Sequence, residues 1–315
     1  MNDIAPFYLD FTYTKAIEDD YQNDTSDQDL DMYHVHGFYT GEEMMAGLLF
    51  GFINNKTNDE GVTVLAEDVD PASPTFGDPI SIDLTDEGFS QQYWHFNPYI
   101  KGTAGPISYM AELEWKTGDF AEFSSGDDVD YDAKRWIVDA AFDTGPASVG
   151  AGWAHSDGQE WDESDYTRAD GGGGDWAPLL ILTHPTSNSA LGGIGNLNSG
   201  NNDTLLTEGG DVFDVGSFGF DIYYIYGSFA PTEKLTLGAI IGWAYADTAD
   251  VTESAEELGL DDEFGWEFDL TAKYQVMDNL TYDVKFGYFS PGDLYDDIGL
   301  DDETWSVMHT LMITF

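Results

Sequence analysis

Apolar residues recur at every second position through much of the chain. The clearest run lies near the end, where Phe264, Trp266, Phe268, Leu270, Ala272, Tyr274 and Val276 alternate with Gly265, Glu267, Asp269, Thr271, Lys273 and Gln275. A strand sends successive side chains to opposite faces, so a period of two gathers the apolar groups on one face and the charged ones on the other. Wound as a helix, the same stretch would scatter acids around every side. The run is about twice the ~5–6 residues of an ordinary globular strand. It suits the ~9–11 tilted residues of a strand that crosses a bilayer.

The pattern repeats. Ile107, Tyr109, Ala111, Leu113 and Trp115 share a face, as do Trp136, Val138, Ala140 and Phe142. So do Leu235, Leu237, Ala239, Ile241, Trp243 and Tyr245, then Leu280, Tyr282, Val284, Phe286 and Tyr288. The last set is Trp305, Val307, His309, Leu311, Ile313 and Phe315. About twelve segments read this way, at roughly 5–16, 31–40, 44–54, 92–101, 106–117, 133–143, 147–156, 216–229, 234–246, 263–276, 280–290 and 304–315.

Short and long connections alternate between them. The short ones fall at 40–43, 102–105, 144–146, 230–233 and 277–279; the long ones at 17–30, 55–91, 118–132, 157–215, 247–262 and 291–303. Trp94, Trp115, Trp136, Trp153, Trp243, Trp266 and Trp305 each stand at the long-connection end of their segment, and only Trp161 and Trp176 lie elsewhere. Tyr and Phe, with Phe315 last, dominate the short-turn ends. Amphipathic rings collect at the two headgroup levels of a membrane. The expectation is therefore all-β: one domain over 1–315, a transmembrane antiparallel closed β-barrel of about twelve strands, with short periplasmic turns and long acidic extracellular loops. A Greek-key sandwich gives no reason for that alternation. A fourteen-strand alternative places one more hairpin within 157–215.

Charge sharpens this picture. With 61 acidic against 10 basic residues, the net charge of −51 excludes a nucleic-acid binder and a polybasic membrane-surface protein. Acidity with few aromatics would read as disorder, but 15% of the residues are aromatic. There is no cysteine, hence no disulfide and no thiolate chemistry. No basic segment followed by an apolar one opens the chain, and Met1-Asn2-Asp3 reads as a start placed on an already processed sequence. The acids cluster in the long connections, and the apolar faces carry almost none, because a charge facing lipid costs a few kcal/mol.

The opposite faces supply the candidate pore lining: Glu112, Glu114, Lys116, Arg135, Asp139, Asp221, Glu267, Asp269, Lys273, Asp283 and Lys285, with Asp10 beside them. Such residues either brace the wall as a salt-bridge lattice or set a transverse field that selects solutes by charge. Asp128-x-Asp130-x-Asp132 and Asp27-x-Asp29-x-Asp31 offer oxygens to Ca²⁺ or Mg²⁺, but neither has both the central Gly and the terminal Glu of a calcium loop. Loose bridging of the acidic loops to lipopolysaccharide is a further reading. His34-x-His36 gives two imidazoles on one face, which is short of a metal site. No G-x-S-x-G, H-E-x-x-H or P-loop is present, so no enzyme and no resident cofactor are expected. Connection 157–215 holds Gly171–Gly174, the apolar run 176–182 and a Gly/Asn-rich return. An apolar run inside a polar loop calls for burial, so this loop is expected to fold over or into the pore.

The C-terminal fifth resembles a known group. Asp262-Glu263-Phe264-Gly265-Trp266-Glu267-Phe268-Asp269-Leu270, then Tyr274, Asp278-Asn279-Leu280, Gly287-Tyr288-Phe289 and Pro291-Gly292-Asp293, resemble proteobacterial outer-membrane porins of the alginate-export-like group. Phe315 after an alternating strand resembles the signal read by the barrel-assembly machinery. The resemblance implies an outer-membrane barrel passing small solutes or a polymer. Exporters of that kind line the pore with bases, whereas acids lead here. The expected function is thus passive diffusion of small solutes or ions with modest cation preference. The alternatives are a structural protein whose loops bind divalent cations or lipopolysaccharide, and a polysaccharide-export-like channel. Association into homo-oligomers is left open.

Overall fold

The computed structural model describes residues 6–17, 29–56, 63–67, 79–83, 89–123, 128–160, 162, 164–169, 178–182, 204–206, 212–214, 218–251, 256, 259–297, 299 and 302–314. Trp161, Trp176, Asp27 and Phe315 lie outside them. Twelve strands form one sheet. They are β1 (Phe7–Ile17), β2 (Leu30–Thr40), β3 (Met44–Asn55), β6 (Phe89–Ala104), β7 (Ile107–Phe123), β8 (Val129–Asp143), β9 (Ala147–Ser156), β12 (Phe220–Thr232), β13 (Leu235–Tyr245), β14 (Glu263–Met277), β15 (Leu280–Pro291) and β16 (Thr304–Ile313). Every pairing in it is antiparallel, and neighbours in the sheet follow one another along the chain. Strand β1 meets β2 and β16 meets β15; among the described residues no pairing joins β1 to β16. With an even number of strands in a meander, those two outer strands run in opposite directions, as antiparallel closure requires.

Two small hairpins stand apart from the main sheet. Strands β4 (Thr63–Glu67) and β5 (Pro79–Asp83) pair only with each other, as do β10 (Thr204–Leu206) and β11 (Val212–Asp214). An extra hairpin does form within 157–215, but it stays out of the main sheet, which keeps twelve strands.

Alternation sorts the two faces as the sequence predicts. Leu9, Phe11, Val138, Trp153, Tyr223, Ile225, Leu237, Leu270, Tyr282, Trp305 and Val307 are exposed on the outer face. The opposite face holds the buried core: Ile137, Ala154, Phe220, Ile222, Tyr224, Ala244 and Phe289. Phe264 departs from the alternation. It was expected on the outer face with Trp266, but it is fully buried in the core. The register between β13 and β14 shifts here, with Ala244 opposite Gly265 and Tyr245 opposite Glu263. Gly265 adopts φ +123°, a conformation glycine alone adopts readily. This β-bulge turns the Phe264 ring inward, against Phe218 and Tyr295.

The core is confined to one part of the inner face. It joins strands β8, β9 and β12 to β15 with Leu179, Ile181 and Leu182 from connection 157–215. Val251 and Leu260 join it from the connection after β13, and Leu294 and Tyr295 from the short helix α1 (Asp293–Asp297). Three long connections therefore fold back over the long-connection ends of these strands. Burying apolar side chains there removes surface that would otherwise face water.

Candidate functional site

The inner face is read most directly from its carboxylates, which fall into three settings. Glu114 on β7 takes part in an ionic network. Arg135 on β8, directly opposite in register, donates to Glu114 Oε2 through Nε at 2.6 Å and through its terminal nitrogen as well. Lys116 Nζ and His95 Nε2 approach Glu114 Oε1 at 3.6 and 3.3 Å. Lys116 also lies 5.6 Å from the Tyr131 ring centroid. The expected grouping of Glu114, Lys116 and Arg135 is therefore present.

Asp139 and Glu112 are held by neutral groups. Tyr224 and Tyr226 on β12 both reach across β9 and donate to Asp139, at 2.9 and 2.7 Å. Gly152 makes the reach possible: a Cβ there would stand 2.2 Å from the Tyr224 ring. Glu112 accepts the Asn97 amide at 2.9 Å. Glu112 and Asn97 line a cavity of about 250 Å³ with Tyr99, Lys101, Met45 and Met110, toward the short-turn end. Sequence reasoning missed Lys101 and Asn97, although both alternate with outward residues on β6.

Glu267 and Asp269 on β14 do something that no spacing foretold. Leu180 N–H donates to Asp269 Oδ2 at 2.9 Å, Ile181 N–H to Glu267 Oε1 at 2.6 Å, and Leu182 N–H to Glu267 Oε2 at 2.7 Å. The two carboxylates are 0% and 3% exposed, so they are sealed beneath the loop instead of lining an open channel. An apolar stretch carries backbone donors that burial would orphan, and each orphan costs about 1–3 kcal/mol. Here the wall supplies the acceptors. Gly242 on β13 leaves the space, since a Cβ there would meet Leu179 at 2.8 Å. Of the apolar run in 157–215, Leu179, Ile181 and Leu182 are buried against the wall. Burial raises the hydroxyl of Tyr295, beside this plug in α1, above its ordinary range.

Lys273 and Asp283 face each other across β14 and β15, with Lys285 opposite Thr271, all on the same face as Glu267. Asp221 is misplaced by the sequence reading. On β12 it alternates with the buried Phe220 and Ile222, so it shares the outer face with Tyr223. The Trp153 indole donates to it at 2.6 Å. Both faces of β12 are apolar here, so alternation could not tell them apart. Asp132 likewise lies outward, accepting from the Trp115 indole at 2.7 Å and Lys134 Nζ at 2.9 Å. Among the described residues, the group of three whose ligand atoms lie within 4.8 Å of one another is His155, Asp221 and Asp247, and it does not include Asp128, Asp130 or Asp132. His36 Nε2 is 2.9 Å from the Tyr99 hydroxyl, and among the described residues no third ligand joins it to His34.

On the outer face the aromatic residues form continuous rows. Trp153 stacks on Tyr223 at 5.9 Å and meets Trp136 edge-on at 5.2 Å. Phe96 stacks on Trp115, Phe52 packs on Trp94, and Trp266 packs on Tyr288. In register, Trp243 stands directly opposite Trp266.

No family model matches the sequence. No curated protein matches it either. Among solved structures, the chain is similar to OmpF of Salmonella typhi in complex with daunomycin, at TM-score 0.38 and 9% identity over 97% of this chain and 96% of that one. It is similar to the NanC porin at TM-score 0.36 and 7% identity, covering 99% of this chain and 100% of that one. A loop L8 deletion mutant of OmpT, an outer-membrane protein of Vibrio cholerae, matches at TM-score 0.36 and 12% identity over 98% and 99%. The architecture of the present chain rests on its own strand pairings.

Proposed function

We propose that the protein is a bacterial outer-membrane β-barrel of porin type. Its bore is narrowed by residues 179–182, and it passes small solutes or ions with a modest preference for cations. The observation that carries this reading is the division of the sheet. An apolar outer face edged by tryptophan surrounds an inner face on which Glu267 and Asp269 hold a loop segment against one part of the wall. Lipid offers no partners to backbone amides, so twelve strands with such a face are stable in a bilayer only when β1 and β16 meet. Barrels of ~8 strands fill their interior with side chains, while ~16 leave a water channel. Twelve strands leave room that a single loop segment can narrow, and the burial of Leu179, Ile181 and Leu182 on the long-connection side supports this. The cavity beside Lys101 and Glu112 is then the vestibule on the short-turn side.

Cation preference follows from Asp139 and Glu112, acids that have no basic partner in direct contact among the described residues, and from the acidic loops at the mouth. Planar-bilayer recording of the folded protein under a salt gradient tests the reading. The expected result is small discrete conductance steps and a reversal potential of cationic sign. The apolar filling itself favours a second reading, a structural outer-membrane protein without transport. Complete absence of steps, in the native chain and in a variant with the 179–182 segment loosened, would establish that instead. Nothing in the structure favours polysaccharide export, because the inner face is not basic.

A further inference from the structure

On the outer face, at the long-connection margin, three stretches of chain converge: the end of β9, the start of β12 and the segment after β13. His155 is 6% exposed there. Its Nδ1 lies 3.1 Å from Asp221 Oδ1 and 4.0 Å from Asp247 Oδ1, and its Nε2 lies 2.8 Å from Asp157 Oδ1. Trp136 stacks on the imidazole at 3.8 Å. The surrounding oxygens are fixed in turn. Asp157 Oδ2 accepts the Lys134 N–H at 2.6 Å, Asp247 Oδ2 accepts the Gly158 N–H at 2.9 Å, and Asp221 Oδ1 accepts the Trp153 indole.

Two features of this cluster call for a cation. Three carboxylates surround one imidazole, so even a doubly protonated ring leaves two negative charges in excess. Lys134 Nζ, on the adjoining strand, is held by Asp132. His155 is buried, Asp221 half-buried and Asp247 exposed, so water screens part of this repulsion and a bound cation would relieve the rest. The second feature is the imidazole's own orientation. A histidine that binds a metal usually gives its other ring N–H to a carboxylate, which fixes the tautomer and aims the remaining lone pair. Asp157 holds Nε2 in this way, leaving Nδ1 to face Asp221 and Asp247. The Nδ1 and the two carboxylate oxygens all lie within 4.8 Å of one another. Metal bonds of about 2.0–2.2 Å to nitrogen and oxygen bring ligand atoms about 3–3.6 Å apart, so the exposed Asp247, 4.0 Å from Nδ1, would close in by about 0.5–1 Å, with water as the fourth ligand.

We propose that His155, Asp221 and Asp247 form a binding site for a divalent transition-metal cation of the zinc class, with Asp157 orienting the imidazole. A nitrogen donor beside two carboxylates suits such an ion better than Ca²⁺ or Mg²⁺, which take oxygen ligands. The ion would tie β9 and β12 to the chain beyond β13, next to the Trp153 ring. This does not depend on whether the barrel transports anything.

Calorimetric titration of the folded full-length protein in detergent with Zn²⁺, against excess Mg²⁺ to occupy the scattered surface acids, tests the site. The expected result is one saturable Zn²⁺ per chain, weakened more than about tenfold in Asp247→Asn and His155→Ala, and by about 10–100-fold in the orienting variant Asp157→Asn. Asp10→Asn, on β1 far from the cluster, serves as the control and leaves the affinity unchanged. Asp247 lies outside the sheet strands, so its variant keeps every strand pairing. Zn²⁺ should also raise the melting temperature of the native chain and not that of Asp247→Asn. Non-saturable uptake, or saturable uptake equal in all four variants, overturns the proposal.

Discussion

Glu267 and Leu182 are joined by a 2.7 Å hydrogen bond between two fully buried residues, one on the wall and one on a loop 85 positions earlier. With its second oxygen on Ile181 N–H, Glu267 receives a polypeptide backbone much as an edge strand would. Glu267→Gln replaces one acceptor oxygen by a donor and leaves one loop N–H unmatched. The expected cost is about 1–3 kcal/mol. It should appear as a lower midpoint of urea unfolding in detergent. On the proposal that 179–182 narrows the bore, bilayer conductance should rise at the same time. A conductance equal to that of the native chain would show that 179–182 does not limit flow.

Leu182 itself packs among Phe218, Phe264 and Phe289 in the core. Leu182→Ala removes a buried isobutyl group while keeping the backbone donors on Glu267. A stability loss of about 2–5 kcal/mol is expected. Chemical denaturation measures it, and a loss below the lower bound would mean that the plug is only loosely seated.

The Asp139 carboxylate depends on two phenols and one missing side chain. Gly152→Ala inserts a methyl where the Tyr224 ring passes. The ring must move, and with it the hydroxyl on Asp139. Overpacking of this kind costs about 1–3 kcal/mol. Tyr224→Phe combined with Tyr226→Phe removes both donors without the clash and exposes the Asp139 charge to the bore. Reversal potentials should then shift toward stronger cation preference, and an unchanged value would remove Asp139 from the selectivity argument.

The outer face makes an independent prediction. Trp94, Trp153 and Trp305 are exposed in the absence of lipid. In vesicles of brominated lipid their fluorescence should be quenched, most strongly when bromine sits near the headgroups. Folded and boiled samples should also migrate differently on gels, as sealed barrels do. Solubility without detergent, with no quenching, would contradict a membrane role.

What could be read from the sequence was what alternation encodes. The strand set, the facing of Ile137 against Val138, and the inward position of Glu112, Glu114 and Arg135 all follow from a period of two. The burial demand of 179–182 was visible as an apolar run in a polar connection. Its acceptors were not, because nothing local ties Leu180 to Asp269, 89 residues away. Asp221 was assigned to the wrong face for a physical reason. Charges are excluded from the hydrocarbon zone, but this residue stands beside Trp153, at the level where lipid tails give way to headgroups, so the rule no longer holds there. Phe264 was misread because a bulge at Gly265 is invisible to a strict two-residue period. The His155 cluster needed three distant stretches to meet, and only His155 and Asp157 were close enough in sequence to suggest it.

Each strand of the large sheet pairs only with those before and after it in the chain, even across the long insertions that carry β4–β5 and β10–β11. Because the entropy of closing a loop rises only slowly with its length, those insertions hinder hairpin formation little. The protein can therefore be built one hairpin at a time, each added to the growing edge of the last. Both small hairpins could be trimmed away by evolution or by design without breaking a single rung of the main ladder.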